Sequence, residues 1–181
     1  MSWTVSWRWI AIGAWLLCLS LSTAMAGVVL SKEDALQKAF SGAEVERHVV
    51  ALSEEQVKAV GILSGSKRNL SDSVVLYEGK KEGRIIGTAY IDSQRVHSLP
   101  QTLMVVVGPD SRIASLDVLA FDEPAKFRAS AKWLDLFRGR GLDDDLQLGQ
   151  GIQGITGATL TARSTTRAVR RILAIHRVLN P

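Results

Sequence analysis

Between Val74 and Ala120 the chain repeats one pattern: a short apolar or alternating run, a turn, and another run. Val74 to Glu78 alternates as a half-buried strand does, and Gly79-Lys80-Lys81-Glu82-Gly83 is turn chemistry. Arg84 to Ile91 follows as a second strand. Gln101 to Val107 is a third, its continuous apolar stretch predicting burial on both faces. Gly108-Pro109-Asp110-Ser111 makes a tight turn into a fourth, Arg112 to Ala120, with Ile113, Leu116, Val118 and Ala120 directed inward. Links this short permit antiparallel neighbours only, because a parallel pair needs a crossover of a dozen or more residues.

The flanks of this β-rich stretch read as helices. Ser31 caps a short helical segment through Phe40, with acids in its first turn. Val45 to Leu52 reads as a strand. Ser53-Glu54-Glu55-Gln56 is a capping box that opens a helix to about Leu63. Ala129 to Phe137 reads as a helix with Trp133, Leu134 and Phe137 on one face, stopped by Gly139. The last helix is predicted over Ala162 to Leu179, from the spacing of Thr165, Ala168, Val169, Ile172, Leu173, His176 and Leu179. The expected fold is α+β: a small antiparallel β-sheet backed by helices.

The 181 residues suit one domain preceded by a targeting segment. Arg8, an apolar run from Trp9 to Thr23 and Ala24-Met25-Ala26 form the pattern of a signal peptide over residues 1–26. The apolar run falls short of the roughly 20 residues that span a bilayer, and the alternative reading is an uncleaved anchor. Either places the domain in the periplasm. Residues 27–69 are then an N-terminal helical segment packing on a domain formed by 70–181. Cys18 is the only cysteine and lies within 1–26, so the exported chain has no disulfide, thiolate metal site or c-type haem attachment. The net charge of +4 is mild and calls for no nucleic acid.

The segment Gly154-Ile155-Thr156-Gly157-Ala158-Thr159-Leu160-Thr161 sits between a glycine-rich approach and the last helix. Gly157 gives backbone freedom, and Ala158 keeps bulk away from the neighbouring hydroxyl. A hydroxyl here lies beside a helix N-terminus, whose amides and dipole favour a phosphate. Thr156 and Thr161 offer further hydroxyls, and Arg163 a screening charge. Read without its flanks, Gly-Ala-Thr is rather a glycine turn followed by an N-cap threonine.

With those flanks the segment resembles the (Ser/Thr)-Gly-Ala-Thr flavinylation motif of the FMN-binding domain family. That family includes flavin-carrying subunits of the Na⁺-translocating NADH:quinone reductase and of the Rnf electron transport complex. The resemblance extends upstream through Leu76-Tyr77-Glu78, Gly87-Thr88-Ala89-Tyr90, Met104 to Val107, Gly108-Pro109-Asp110 and Asp122-Glu123-Pro124, covering roughly residues 70–180. It implies an FMN cofactor joined by a phosphoester to Thr159, with Thr156, Gly157, Ala158, Leu160, Thr161, Glu123 and Arg163 around it. It also implies a flavin transferase for maturation, and electron relay between periplasmic or membrane redox proteins. The chain departs from the family pattern at Gln153, where an Asp recognised by the transferase is common, and at Ala125-Lys126-Phe127-Arg128, where Gly-Leu-Gly is common.

Two other functions compete. A flavin-dependent reductase of a small substrate would need an acid or base over the flavin, and Glu123 is the one hint; it serves equally as a loop cap. A non-redox binding module is the other, and Gln153 keeps it open. No catalytic constellation appears beyond these. His48, His97 and His176 show no metal spacing, and His176 lies on an apolar helix face. Asp143-Asp144-Asp145 reads as a solvated turn, Trp133 and Phe127 as core. The cluster Arg163, Arg167, Arg170, Arg171 and Arg177 reads as a solvated helix face, or as a phosphate neighbour at Arg163 or Arg167.

Overall fold

A computed structural model describes residues 27–66, 71–142 and 144–181. The expected signal segment and Asp143 lie outside the described residues. Five strands form one antiparallel meander in the order β1 (Glu44–Ala51), β2 (Ser73–Lys81), β3 (Arg84–Arg95), β4 (Pro100–Val107), β5 (Ile113–Phe121). Four helices accompany it: α1 (Lys32–Ala39), α2 (Glu54–Ser64), the short α3 (Ala131–Leu134) and α4 (Thr159–Leu179). Residues 27–69 are therefore more than a helical segment, since they supply β1, paired with β2 along its whole length.

Strand alternation sorts the side chains into two cores. Leu103, Val105 and Val107 of β4 face α3 and α4, while Met104 and Val106 face α1. That is why the apolar run reads as continuous: the strand is covered on both faces. The turn between β2 and β3 is tighter than the glycines suggest. β2 runs to Lys81, which pairs with Arg84, and Glu82 and Gly83 alone turn the chain, both with positive φ (52° and 74°) as a two-residue hairpin requires. Gly79 belongs to the strand, and a Cβ there would lie 2.2 Å from the Phe40 ring. The glycine is a seat for Phe40 of the α1 core.

Both predicted caps are present. Ser31 Oγ accepts the Asp34 amide, and Ser53 and Gln56 complete a capping box. Trp133, Leu134 and Phe137 are buried against the sheet as read, although the helix there is a single turn of α3 continued by a 3₁₀ turn. Gly139, at φ 74°, ends it. Ahead of β5's far end, Gly27 to Leu30 lies along its edge: Val29 and Leu30 amides donate to Leu119 O, and the Gly27 amide to Asp122 Oδ1 at 2.9 Å.

α4 is the structural axis of the other face. Val169, Ile172 and Leu173 enter the main core. Two sheet glutamines fix its first turns: Gln94 Nε2 donates to Ser164 O at 2.7 Å, and Gln101 Nε2 to Thr165 Oγ1 at 3.1 Å. The start of α4 is thereby held at one end of the sheet. Among the described residues no helix is long and apolar enough to cross a membrane.

Candidate functional site

The chain enters α4 through a turn that only a few sequences allow. The Ala158 amide donates to Ile155 O at 3.0 Å, closing Ile155-Thr156-Gly157-Ala158. The third residue, Gly157, takes φ 77°, as a type II turn demands. Trp133 Nε1 donates to Gln153 O at 2.7 Å and holds the approach from the core side. Trp133 is thus a core residue with a polar handle.

α4 begins at Thr159, three residues earlier than its periodicity predicts. Ala158 is the N-cap and has no side chain to cap with. The first helical bond is donated by Ala162, to Ala158 O. The amides of Thr159, Leu160 and Thr161 consequently have no partner among the described residues, and Thr159 itself is exposed. Thr161 stands in the first turn of the helix, away from the cap, 1% exposed, and its Oγ1 has no hydrogen-bond partner. A buried hydroxyl without a partner costs about 1–3 kcal/mol unless something meets it.

These residues line a cleft of about 430 Å³ with Val96, His97, Glu123 and Phe127. Its walls combine apolar surfaces (Val96, Phe127, Ala158, Leu160) with hydroxyls at the helix end. Of the sequence-predicted site residues, Gly157, Ala158, Thr159, Leu160, Thr161 and Glu123 meet there. Thr156 lies just outside, exposed on the turn. Arg163 lies outside too, in a neighbouring cleft. Phe127, read as core, is half-buried and forms part of the wall. Val96 was not singled out from the sequence, and His97 was weighed only as a metal ligand; they belong to a loop whose proximity to the motif is made only by the fold.

Glu123 resolves as the loop cap. Its Oε1 accepts the amides of Leu99 (2.8 Å), Ser98 (2.7 Å) and His97 (3.2 Å). Those bonds, the Leu99 amide foremost, hold its carboxyl below the ordinary glutamate value. The carboxylate shapes the cleft by fixing the loop between β3 and β4.

Apart from His97, the other titratable groups weighed from the sequence sit elsewhere. His176 is packed as read: Tyr90 Oη and His176 Nδ1 lie 2.9 Å apart in the core, burial lowers the imidazole pKa and raises that of the phenol. Asp144 accepts the Gly141 amide at 2.7 Å and pairs with Arg112. The fold brings His48 Nε2 to 3.3 Å from Glu46 and 3.5 Å from Glu78, a grouping invisible as sequence spacing. Lys80 Nζ is already 2.6 Å from Glu46 and supplies the positive charge there.

The arrangement suits a phosphate ester at an exposed threonine with an apolar, ring-sized recess beside it. Residues 97–174 match the model of the FMN-binding domain family, a span that contains every cleft residue except Val96. That stretch of the chain is thus similar to an FMN-binding domain. The chain's fold is that of the crystal structure of Shewanella oneidensis NqrC, with a TM-score of 0.55 over 82% of this chain and 89% of that one, at 15% identity. No curated protein matches the chain.

Proposed function

We propose that the chain is an exported flavoprotein carrying FMN as a phosphoester on Thr159, relaying electrons between membrane-associated or periplasmic redox proteins. One observation carries this reading: an exposed threonine at the first position of α4, beside three amides and a buried Thr161 hydroxyl that have no partner among the described residues. FMN fits those donors through its phosphate and the apolar walls through its ring, and it supplies the redox chemistry when bound. The chain's own residues bind and orient. Gly157 turns the backbone clear, Ala158 leaves space, the amides of 159–161 hold charge, and Glu123 keeps the 96–99 loop in place. Attachment by a flavin transferase suits a compartment where a dissociated cofactor is lost by dilution.

Two features weigh against a reductase. Glu123 is committed to three backbone donors, and among the described residues no other carboxylate lines the cleft, which leaves His97 as its one other acid–base group. Gln153 bears on attachment: its side chain is exposed and only its carbonyl is used, so the residue type there serves recognition by the transferase rather than the fold.

Peptide mass spectrometry after co-expression with a flavin transferase is the test. The expected result is one FMN adduct on Thr159, lost in Thr159→Ala. An adduct on Thr156 or Thr161 would overturn the assignment. An unlabelled wild type that becomes labelled as Gln153→Asp would place the fault in recognition.

A further inference from the structure

The Thr159 cleft shares a wall with a second, larger one of about 590 Å³: Val96 and Leu160 line both. Arg95, Arg163, Arg167 and Arg171 line the second, and no carboxylate does. Arg171 is buried and paired with Asp92, so its charge is internal. The other three are exposed, and none makes an ion pair among the described residues. Leu160, Arg163 and Arg167 fall at helical positions i, i+3 and i+7, one face of α4. Arg95 comes to them from the end of β3. Leu160, 45% exposed, stands between the two clefts. At the α2 end, Arg170 Nε donates to Ser64 O and offsets the carbonyl charge of that helix terminus.

The geometry points to this second cleft as the docking surface for an acidic face of a partner protein, placed so that the partner meets the edge of the Thr159 site. The inference rests on the relay reading above. A site for a small anion gathers buried, converging donors; here the three guanidinium groups are exposed and divided between one turn of helix, at Arg163 and Arg167, and the strand end at Arg95. That pattern matches a charged rim around an apolar centre, with Leu160 as the centre. Uncompensated positive charge beside the exchange site raises encounter rates with a negative partner and falls away with salt. The sequence reading of these arginines as a solvated face changes accordingly: the fold adds Arg95 and makes the face concave.

The test uses the full chain expressed without a flavin transferase, so that it is blind to whether flavin attaches. The probe is a fluorescein-labelled decaglutamate peptide, with decalysine as control, followed by anisotropy. Decaglutamate is expected to bind in low salt and to weaken as salt rises, and decalysine not to bind. Arg95→Ala/Arg167→Ala should lose roughly tenfold in affinity, the sum of two exposed charge pairs. Arg95→Lys/Arg167→Lys, which keeps the charge, should recover most of it. Equal binding by wild type and the double alanine variant overturns the proposal. So does displacement of the peptide by micromolar inorganic phosphate, which would mark a small-anion pocket. Loss of the FMN adduct on Thr159 with decaglutamate binding intact would instead sink the relay reading and leave the basic surface standing.

Discussion

The two ends of α4 treat their polar groups in opposite ways. At the C-terminal end the chain supplies its own cap: Asn180 Nδ2 and the Asn180 amide both donate to His176 O, and His176 is bonded to Tyr90 in the core. At the N-terminal end an alanine occupies the cap, three amides are open and a buried hydroxyl is unpartnered. A serine or aspartate at the cap would satisfy the helix, as Ser31 and Ser53 do for α1 and α2. Its absence at the longest helix separates the two jobs: one end holds the fold, the other is kept for a ligand.

The largest expected effect breaks the holding end. Leu173→Ala, at a 2% exposed core position, should cost about 2–5 kcal/mol in urea denaturation. Thr159→Ala at the open end should move stability by less than about 0.5 kcal/mol while removing covalent flavin. Similar losses from both would erase the contrast. Tyr90→Phe comes next: it leaves His176 Nδ1 buried without its partner, for about 1–3 kcal/mol.

The same pair sets a pH dependence. Burial lowers the His176 pKa below its unfolded value of about 6.5. Between the two values the unfolded chain binds more protons, so this contribution is present above pH ~6.5 and lost as pH falls through the folded value. Denaturant midpoints from pH 7.5 downward should drop in wild type, and less steeply in His176→Gln.

Smaller effects sharpen the open end. Ala158→Ser should stabilise the flavin-free protein by about 1 kcal/mol by supplying the missing cap, yet reduce flavin attachment by competing for the same amides. Thr161→Val removes the unpartnered hydroxyl and should leave flavin-free stability within about 0.5 kcal/mol of wild type, or above it, while weakening flavin retention. A stability loss in Thr161→Val of the size seen for Tyr90→Phe would mean the hydroxyl is satisfied within the protein.

The sheet was legible because its signals are local. Alternation, caps and the glycine turn at 154–158 each act within a few residues. The start of α4 was not: threonines at 159 and 161 are indifferent helix formers after a glycine, and what keeps them helical is the clamp of Gln94 and Gln101 on the next turn. Gly79 looked like a turn because nothing near it in sequence announces the Phe40 ring above it. Glu123 was readable as a loop cap or a flavin partner alike, and only the fold supplies the three donors, His97, Ser98 and Leu99, that make it a cap. Gly157 to Thr161 met as expected, while Thr156 and Arg163 fell outside their cleft; the loop that completes it, and the Arg95 that completes the basic one, were set by pairing of β3 with β4.

The meander has a consequence for the order of events in folding. Each strand of β2 to β5 meets the next through a short connection, so those pairings close at little entropic cost. The Thr159 cleft instead joins the 96–97 loop, the 123–127 segment and the start of α4, which are brought together only when the last helix docks. An unfinished chain therefore presents Thr159 without its loop, its recess or the ordered amides beside it. In the proposed maturation the acceptor exists only on completed molecules, so the yellow colour of a preparation would count the folded chains in it.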